Sequence, residues 1–271
     1  MRLLTLAALA LLAAAAPAGA QLARPNADGV NFAHVHLNVA DMELHKRLWV
    51  EHFDGVVVTK GPLTVVKVPN MLIALTQRAP TGPSQGTAMD HFGFKVRSVA
   101  EFVAEWRAAG YEVQSEFTGA EGFPNAYLLA PDGVRFEIQE EATLPVKVSA
   151  YHIHFWVPEA QIQPLMAWYA ENFGMVIQTR GTIQTAGDVP GMNLSFAPCP
   201  ADAECGPTQG RAIDHIGFEA VGLSQFAERL KARGIVYQTE PRTIDAITLS
   251  ISYLVDPAGV RIEVTEGYHL Y

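Results

Sequence analysis

The sequence predicts an α+β fold built from four βαβββ modules, which form two tandem copies of a module pair. Three observations predict this fold: an internal repeat, the same order of strand-like and helix-like segments in each copy, and histidines and glutamates at matched places in both copies. With 49% hydrophobic and 17% charged residues, the chain has ample material for packed cores.

The internal repeat is clearest in the middle of each copy. Residues 82–94 read GPSQGTAMDHFGF and residues 206–218 read GPTQGRAIDHIGF, so that nine of the thirteen positions are identical. A repeat of this kind is typical of a duplicated structural unit. We therefore predict a first domain over residues 31–141 and a second domain over residues 150–266. Further matched pairs are HVHLNV (34–39) with HIHFWV (152–157), VPNM (68–71) with VPGM (189–192), and YLLAPDGVRFEIQE (127–140) with YLVDPAGVRIEVTE (253–266).

Within each copy, hydrophobic periodicity predicts strand, helix and three strands, twice over. In the first module, alternation over residues 32–39 predicts a strand, and residues 42–53 form an amphipathic helical pattern that Asp41 can cap. In the second module, a strand begins at His91 and a helix over residues 99–109 is ended by a glycine at position 110. The remaining β-rich runs of this copy are residues 56–58, 64–68, 72–76, 111–117, 126–129 and 134–139.

Residues 1–20 are typical of a secretory signal peptide. Arg2 gives a positive start, residues 3–16 form an apolar run, and Ala18-Gly19-Ala20 fits a cleavage site after Ala20. A retained membrane anchor is the alternative interpretation, although the run is short for a bilayer span. We expect a secreted or periplasmic mature protein that does not contact the membrane.

The cysteines indicate the compartment of the protein, and the net charge indicates which partners it can bind. Cys199 and Cys205 flank a short polar loop, where an oxidising compartment favours a disulfide; two free thiols or a metal pair are the alternatives. The formal net charge of −9 argues against nucleic acid or an anionic membrane as a partner, because both would repel the protein. We expect a small-molecule substrate and a monomer or homodimer.

The module pattern and three short motifs resemble a known superfamily. The motifs are HxHxxV at His34 and His152, DHxGF at residues 90–94 and 214–218, and PxGxRxE, which ends at a glutamate in the last strand of each copy. Together they resemble the vicinal-oxygen-chelate superfamily, which includes glyoxalase I, extradiol dioxygenases, fosfomycin-resistance enzymes and bleomycin-binding proteins. Over residues 31–141 and 150–266, the resemblance implies two half-barrel domains, each holding a divalent metal on its concave face.

The resemblance also implies the metal ligands. The family's fourth glyoxalase ligand falls on Ala74 and Ser195, which are poor ligands. Two histidines and one carboxylate are instead typical of the Fe(II) facial triad, so that Fe²⁺ or Mn²⁺ is expected first, with Zn²⁺ or Ni²⁺ as alternatives. Modules of this family also pair across copies, in which case His34 would join ligands of the second copy. The implied ligands are His34, His91 and Glu137 in the first copy, and His152, His215 and Glu263 in the second.

Four further residues are candidate catalytic groups. His36 and His154 lie two residues beyond the first ligand of each copy and therefore share its strand face. Each is interpreted as a proton carrier, an alternative ligand or a packed core residue. Tyr127 and Tyr253 precede the ligand glutamates by ten residues, a spacing similar to that of the active-site tyrosine of extradiol dioxygenases; packing is the alternative.

Asp90 and Asp214, next to the second ligand of each copy, should point to the opposite face of the strand, so that we favour a turn or register role over one in orienting an imidazole. The loops over residues 76–90 and 197–214 lack the acid–base histidine usual in extradiol enzymes, so that catechol cleavage would need His36 or His154 in its place. We expect a metal-dependent dioxygenase. A glyoxalase-type lyase or isomerase and a non-catalytic binding protein are the alternatives.

Overall fold

The computed structural model describes residues 22–271. This part of the chain contains sixteen strands and four α-helices, joined by loops and three short 3-10 helices. The predicted signal peptide, with its cleavage after Ala20, lies outside the described residues. The strands form two eight-stranded sheets, and the predicted α+β fold of βαβββ modules is confirmed. Among the described residues, no helix is both long and apolar enough to cross a membrane.

Each copy contains two modules in sequence order. The first copy comprises β1 (Val30–Val39), α1 (Met42–Phe53), β2 (Val56–Lys60), β3 (Leu63–Val68), β4 (Met71–Gln77), β5 (Met89–Val96), α2 (Val99–Ala108), β6 (Glu112–Thr118), β7 (Pro124–Ala130) and β8 (Val134–Glu140). The second comprises β9 (Val148–Val157), α3 (Glu159–Phe173), β10 (Val176–Arg180), β11 (Ile183–Val189), β12 (Met192–Pro198), β13 (Ile213–Ala220), α4 (Leu223–Ala232), β14 (Tyr237–Ile244), β15 (Leu249–Val255) and β16 (Arg261–Glu266).

Each sheet takes one module from each copy. One sheet has the strand order β14-β15-β16-β13-β1-β4-β3-β2, and the other has the order β10-β11-β12-β9-β5-β8-β7-β6. At their centres, β1 pairs with β13 and β5 pairs with β9, both antiparallel. The bounds 31–141 and 150–266 are a prediction from the sequence repeat, whereas pairing across copies forms the sheets. In all four modules, the first strand lies at the edge that pairs with another module. The repeat alone therefore does not specify which two modules pair.

The helices pack on one face of the sheets and join the two sheets into one core. Trp49 of α1 stacks near Phe53 and also contacts Phe92 and Phe136 of the other sheet, at ring-centroid distances of 4.7, 6.1 and 6.0 Å. A buried polar pair lies in the same core: the Tyr169 hydroxyl of α3 donates to Asp256 Oδ2 at 2.8 Å. With this face filled by helices, the opposite face of each sheet is left for the histidines.

The predicted disulfide is confirmed. Cys199 and Cys205 are bonded to each other, with their Cα atoms 6.1 Å apart. The bond closes the loop that follows β12, and the cysteines are thus neither free thiols nor a metal pair.

Two candidate metal centres

The first centre consists of His34, His36, His215 and Glu263. Each offers a ligand atom, and these atoms all lie within 4.8 Å of one another. His34 and His36 come from β1, His215 from β13 and Glu263 from β16, three strands that are adjacent in one sheet. Glu263 Oε2 lies 3.0 Å from His34 Nε2 and 3.2 Å from His215 Nε2.

The second centre repeats this arrangement in the other sheet with His91, Glu137, His152 and His154. Glu137 Oε2 lies 3.1 Å from His91 Nε2 and 3.3 Å from His152 Nε2. All six predicted ligands lie in one of the two centres. The ligands are grouped across copies, which is one of the two groupings that the sequence left open, because each central strand pair joins a strand of one copy to a strand of the other.

His36 and His154 belong to the ligand sets, which favours their interpretation as alternative ligands. His36 Nε2 lies 2.7 Å from Thr76 Oγ1, and it pairs in register with Ala74. At the second centre, Ser195 pairs with His154 but its hydroxyl donates to Asn193 and accepts from Arg180. Each centre thus offers three imidazoles and one carboxylate, with a histidine beside the position that glyoxalase would fill with Glu or Gln.

The donor sets fit a divalent cation. Both ring nitrogens of His34, His152 and His154 are buried without a hydrogen-bond partner, which is rare for polar atoms in a folded protein. Burial lowers the pKa of His34, and it lowers that of His152 to about 4, so that both imidazoles are neutral near pH 7. Burial alone would raise the pKa of Glu263, but the hydrogen bond from His215 and the neighbouring imidazole of His34 lower it well below its usual value. Neutral imidazoles and an ionised carboxylate are the forms that bind metal.

Asp90 and Asp214 orient the second ligand of each centre, the role that the sequence did not favour, and they also have the predicted turn and register role. Asp90 Oδ2 lies 2.9 Å from His91 Nδ1, and Asp214 Oδ1 lies 2.6 Å from His215 Nδ1. Each aspartate is the extra residue of a β-bulge, because the pairing registers of β5 with β9 and of β13 with β1 both skip it. A bulge bends its strand and re-aims side chains, so that strict alternation fails at this position.

The aspartates are themselves held by residues of the repeated motifs. Asp214 accepts hydrogen bonds from the Gly210 amide at 2.7 Å, the Arg261 guanidinium at 3.1 Å and the Asn38 side chain at 3.1 Å. At the second centre, the Gly86 amide and Arg135 bond to Asp90 in the same way. The role of the two arginines was not predicted, although their fixed place two residues before the ligand glutamates in PxGxRxE was a visible signal.

The glycine of each DHxGF motif makes room for a ligand from the other copy. A Cβ atom on Gly217 would lie 1.9 Å from His34 Cε1, and one on Gly93 would lie 2.1 Å from His152 Cε1. Only a residue without a side chain leaves space for these imidazoles. The motif therefore combines a ligand, its aspartate and the space for a second ligand in five residues.

The two predicted tyrosines have matching ring positions, each beside the second ligand histidine, but their hydroxyl contacts differ. The Tyr253 hydroxyl donates to Glu263 Oε1 at 2.8 Å. At the second centre, the Asn125 amide donates to Glu137 Oε1 instead. Tyr127 packs against Phe117, with its ring 5.0 Å from that of His91. Of the two tyrosines, only Tyr253 donates a hydrogen bond to the ligand glutamate of its centre. At the second centre, Asn125 of β7 makes the equivalent hydrogen bond.

Access to the centres also differs. The first centre borders an apolar cavity of about 170 Å³, lined by residues that include Leu249, Ile251, Tyr253 and Tyr268. A second, polar cavity of about 300 Å³ is lined by His36 and His215. At the second centre, Trp156 stacks on the His154 ring at 5.1 Å, and the 510 Å³ cavity beyond Trp156 is lined by none of the four ligands.

The fold and the two centres define a protein of paired βαβββ modules with metal-binding potential. Residues 31–138 match the family model of the Glyoxalase/Bleomycin resistance protein/Dioxygenase superfamily, so the first copy belongs to that superfamily and the predicted family is confirmed. No curated protein sequence matches the chain.

Solved structures share this fold over most of the chain. Glyoxalase I from Zea mays is 16% identical, covers 89% of this chain and 94% of its own, and superimposes with a TM-score of 0.67. A point mutant of that Zea mays enzyme gives 15% identity, coverage of 89% and 95%, and a TM-score of 0.69. A Bacillus subtilis subsp. subtilis str. 168 structure named "putative dioxygenase" gives 12% identity, coverage of 91% and 86%, and a TM-score of 0.62.

Proposed function

We propose that the protein is an exported, metal-dependent enzyme that acts on a small molecule chelating the metal through adjacent oxygen atoms, and that it catalyses dioxygenation. The observation that carries this proposal is the first centre, where a buried set of three imidazoles and one carboxylate adjoins a cavity. Export is supported by the signal-like residues 1–20 and by the disulfide, which is typical of oxidising compartments.

Residues His34, His215 and Glu263 would hold the divalent ion, with His36 as a fourth ligand or a proton acceptor. A bound Fe²⁺ or Mn²⁺ supplies Lewis acidity toward adjacent oxygen atoms and positions open to ligands. Because the ligand nitrogens include His215 Nε2, which also bonds to Glu263, protons compete with the ion, and affinity should fall as the pH is lowered.

The chain's own residues can bind and position the substrate at this centre. The apolar walls at Leu249 and Ile251 suit a hydrocarbon body and exclude water from it. Tyr253 holds Glu263 Oε1 with its hydroxyl at the edge of the same cavity. Burial lowers the pKa of His36 well below its usual value, so the imidazole is neutral near pH 7, which is the form that can ligate the ion or accept a hydrogen bond from a substrate hydroxyl.

A lyase or isomerase of glyoxalase type is the less favoured enzymatic alternative. Ala74 stands at the fourth ligand position of the first centre, and the Ser195 hydroxyl at the second is bonded to Arg180 and Asn193. Neither residue provides the carboxylate that would exchange a proton with the substrate.

The proposal is tested by metal content followed by oxygen uptake. Residues 21–271 are purified without oxygen and analysed by elemental mass spectrometry, beside Glu137→Ala, Glu263→Ala and, as a control, the exposed Glu51→Ala. We expect about two equivalents per chain, a loss of one in each ligand variant and no loss in the control. Oxygen uptake with catechol should then follow the loaded protein and disappear in Glu263→Ala.

Two results would contradict this proposal. A trace of metal that is the same in all four proteins would exclude a metalloenzyme. Ligand binding that a chelator leaves unchanged, without oxygen uptake, would instead indicate a binding protein.

A further inference from the structure

The two centres differ in the sign of a buried charge at matched positions. Lys95 follows His91 by four residues on β5, and Glu219 follows His215 by four residues on β13. Residues four apart on a strand share a face, so that both charges lie on the ligand-bearing face of their sheets. Lys95 and Glu219 are 9% and 7% exposed, which makes both costly unless a partner offsets their desolvation.

At the second centre, Lys95 belongs to a cluster with Glu121, Tyr151 and Arg180. Glu121 Oε2 accepts from the Tyr151 hydroxyl at 2.7 Å and lies 3.4 Å from Arg180 Nη1 and 3.9 Å from Lys95 Nζ. The Lys95 ammonium also lies 4.0 Å from the centroid of the Tyr151 ring. Two cations therefore share one carboxylate, and the cluster has a net charge of about +1.

The first centre has different residues at the equivalent positions. Ala33 stands where the second centre has Tyr151, and Ile247 stands where it has Glu121. Glu219 accepts hydrogen bonds from the Gly267 and Tyr268 amides and from the Thr265 hydroxyl, at 2.6 to 2.9 Å. This carboxylate is already satisfied by the protein, and it would repel an anion.

Glu121 is the most exposed charged member of the cluster. Its side chain is 21% exposed, against 11% for Lys95 and 7% for Arg180. It lies in the turn between β6 and β7, beside Gly122, whose backbone is left-handed at φ 82°. Moving Glu121 into water uncovers two buried cations, and an arginine is suited to a bidentate bond with a ligand carboxylate.

We propose that the second centre binds a ligand that carries a carboxylate, held by Lys95 and Arg180 in place of Glu121, whereas the first centre binds an uncharged vicinal diol. The inference rests on the proposed function for the metal-bound end of the ligand. It assigns the charged end to residues that lie outside both ligand sets. The duplicated chain then serves two chemical classes of ligand with one type of metal centre.

The test compares two compounds that share a vicinal diol and differ in charge. Protein loaded with Zn²⁺, which does not support turnover with oxygen, is titrated by calorimetry with 3,4-dihydroxybenzoate and with 4-methylcatechol. Glu263→Ala leaves only the second centre loaded, and Glu137→Ala leaves only the first. We expect dihydroxybenzoate to bind on the order of ten-fold tighter than methylcatechol at the second centre, and the preference to reverse at the first.

Variants of the cluster locate the preference. In the Glu263→Ala background, Arg180→Met and Lys95→Met should each remove the preference for 3,4-dihydroxybenzoate over 4-methylcatechol, while the zinc content stays the same. Lys60→Met, at the position of the first module that matches Arg180, is the control and should leave it unchanged.

The results separate this inference from the proposed function. Equal preferences at both centres, or a preference that persists in Arg180→Met and Lys95→Met, would overturn the inference alone. If neither compound binds to the zinc-loaded protein, both the inference and the proposed function are wrong.

Discussion

Replacing Gly217 with alanine should empty the first centre while the second stays loaded. The new Cβ would lie 1.9 Å from His34 Cε1, whereas ordinary contact begins at 3.4 Å, so that the imidazole must move by about 1.5 Å. Metal sites tolerate ligand displacements of about 0.2 Å, and His34 would be lost as a ligand. Overpacking of this kind costs about 1–3 kcal/mol, which leaves a folded protein. The φ angle of Gly217 is not positive, so backbone strain does not contribute.

Elemental mass spectrometry of the loaded protein measures this effect. We expect a fall from two equivalents to one in Gly217→Ala and no change in Gly206→Ala, where a Cβ meets nothing within 4 Å. Adding Glu263→Ala to Gly217→Ala should remove no further metal, whereas adding Glu137→Ala should remove the second equivalent. Full metal content in Gly217→Ala, or the reverse result in the two combinations, would refute the assignment of His34 and Glu263 to one centre.

Three further predictions concern the support of the centres and the fold. Asp214→Asn should lower the metal affinity of the first centre by about ten- to a hundred-fold, measured by competition with a chelating indicator, because the amide no longer holds His215 as a carboxylate does. Burial raises the pKa of Asp256 to about 6, so the ionised carboxylate destabilises the folded state and stability is lost as the pH rises from about 4 to 6. Relative to Asp256→Asn, the wild type should therefore lose roughly 3 kcal/mol of unfolding free energy over that range in denaturant titrations; parallel curves would contradict this. Replacing Cys199 and Cys205 with serine should lower that free energy by roughly 2 kcal/mol, and an unchanged denaturation midpoint would show that the disulfide does not restrain the unfolded chain.

The sequence was sufficient to predict the modules because they depend on local patterns, whereas the ligands came from the resemblance to the superfamily. Helix α1 begins after its predicted cap, where the Asp41 side chain accepts from the Leu44 amide at 2.9 Å. Each ligand lies in a strand whose apolar and polar residues alternate in the sequence, and the duplication repeats this pattern in the second copy. The ligand residues were assigned through that resemblance, by matching motif positions.

The parts that the sequence did not predict depend on geometry between strands. The bulge at Asp90 inverts the direction that alternation gives, and nothing in the residue order marks it. The partner of His34 depends on which strand edges meet, and four equivalent edges leave that choice open. Asn125 replaces the tyrosine contact at the second centre through a hydrogen bond to Glu137 that only the folded β7–β8 pair reveals.

The pairing of modules across copies sets an order in which the protein can assemble. His91 and His154 are separated by a short stretch of chain, whereas His34 lies near the start of the described residues and Glu263 near their end. During synthesis, all ligands of the second centre have been made long before β16. The sheet that contains β5 and β9 can therefore form first. The first centre must wait for the last strand and close a long loop, which is the slower step. Its metal occupancy therefore reports whether the chain has been made and folded as far as β16.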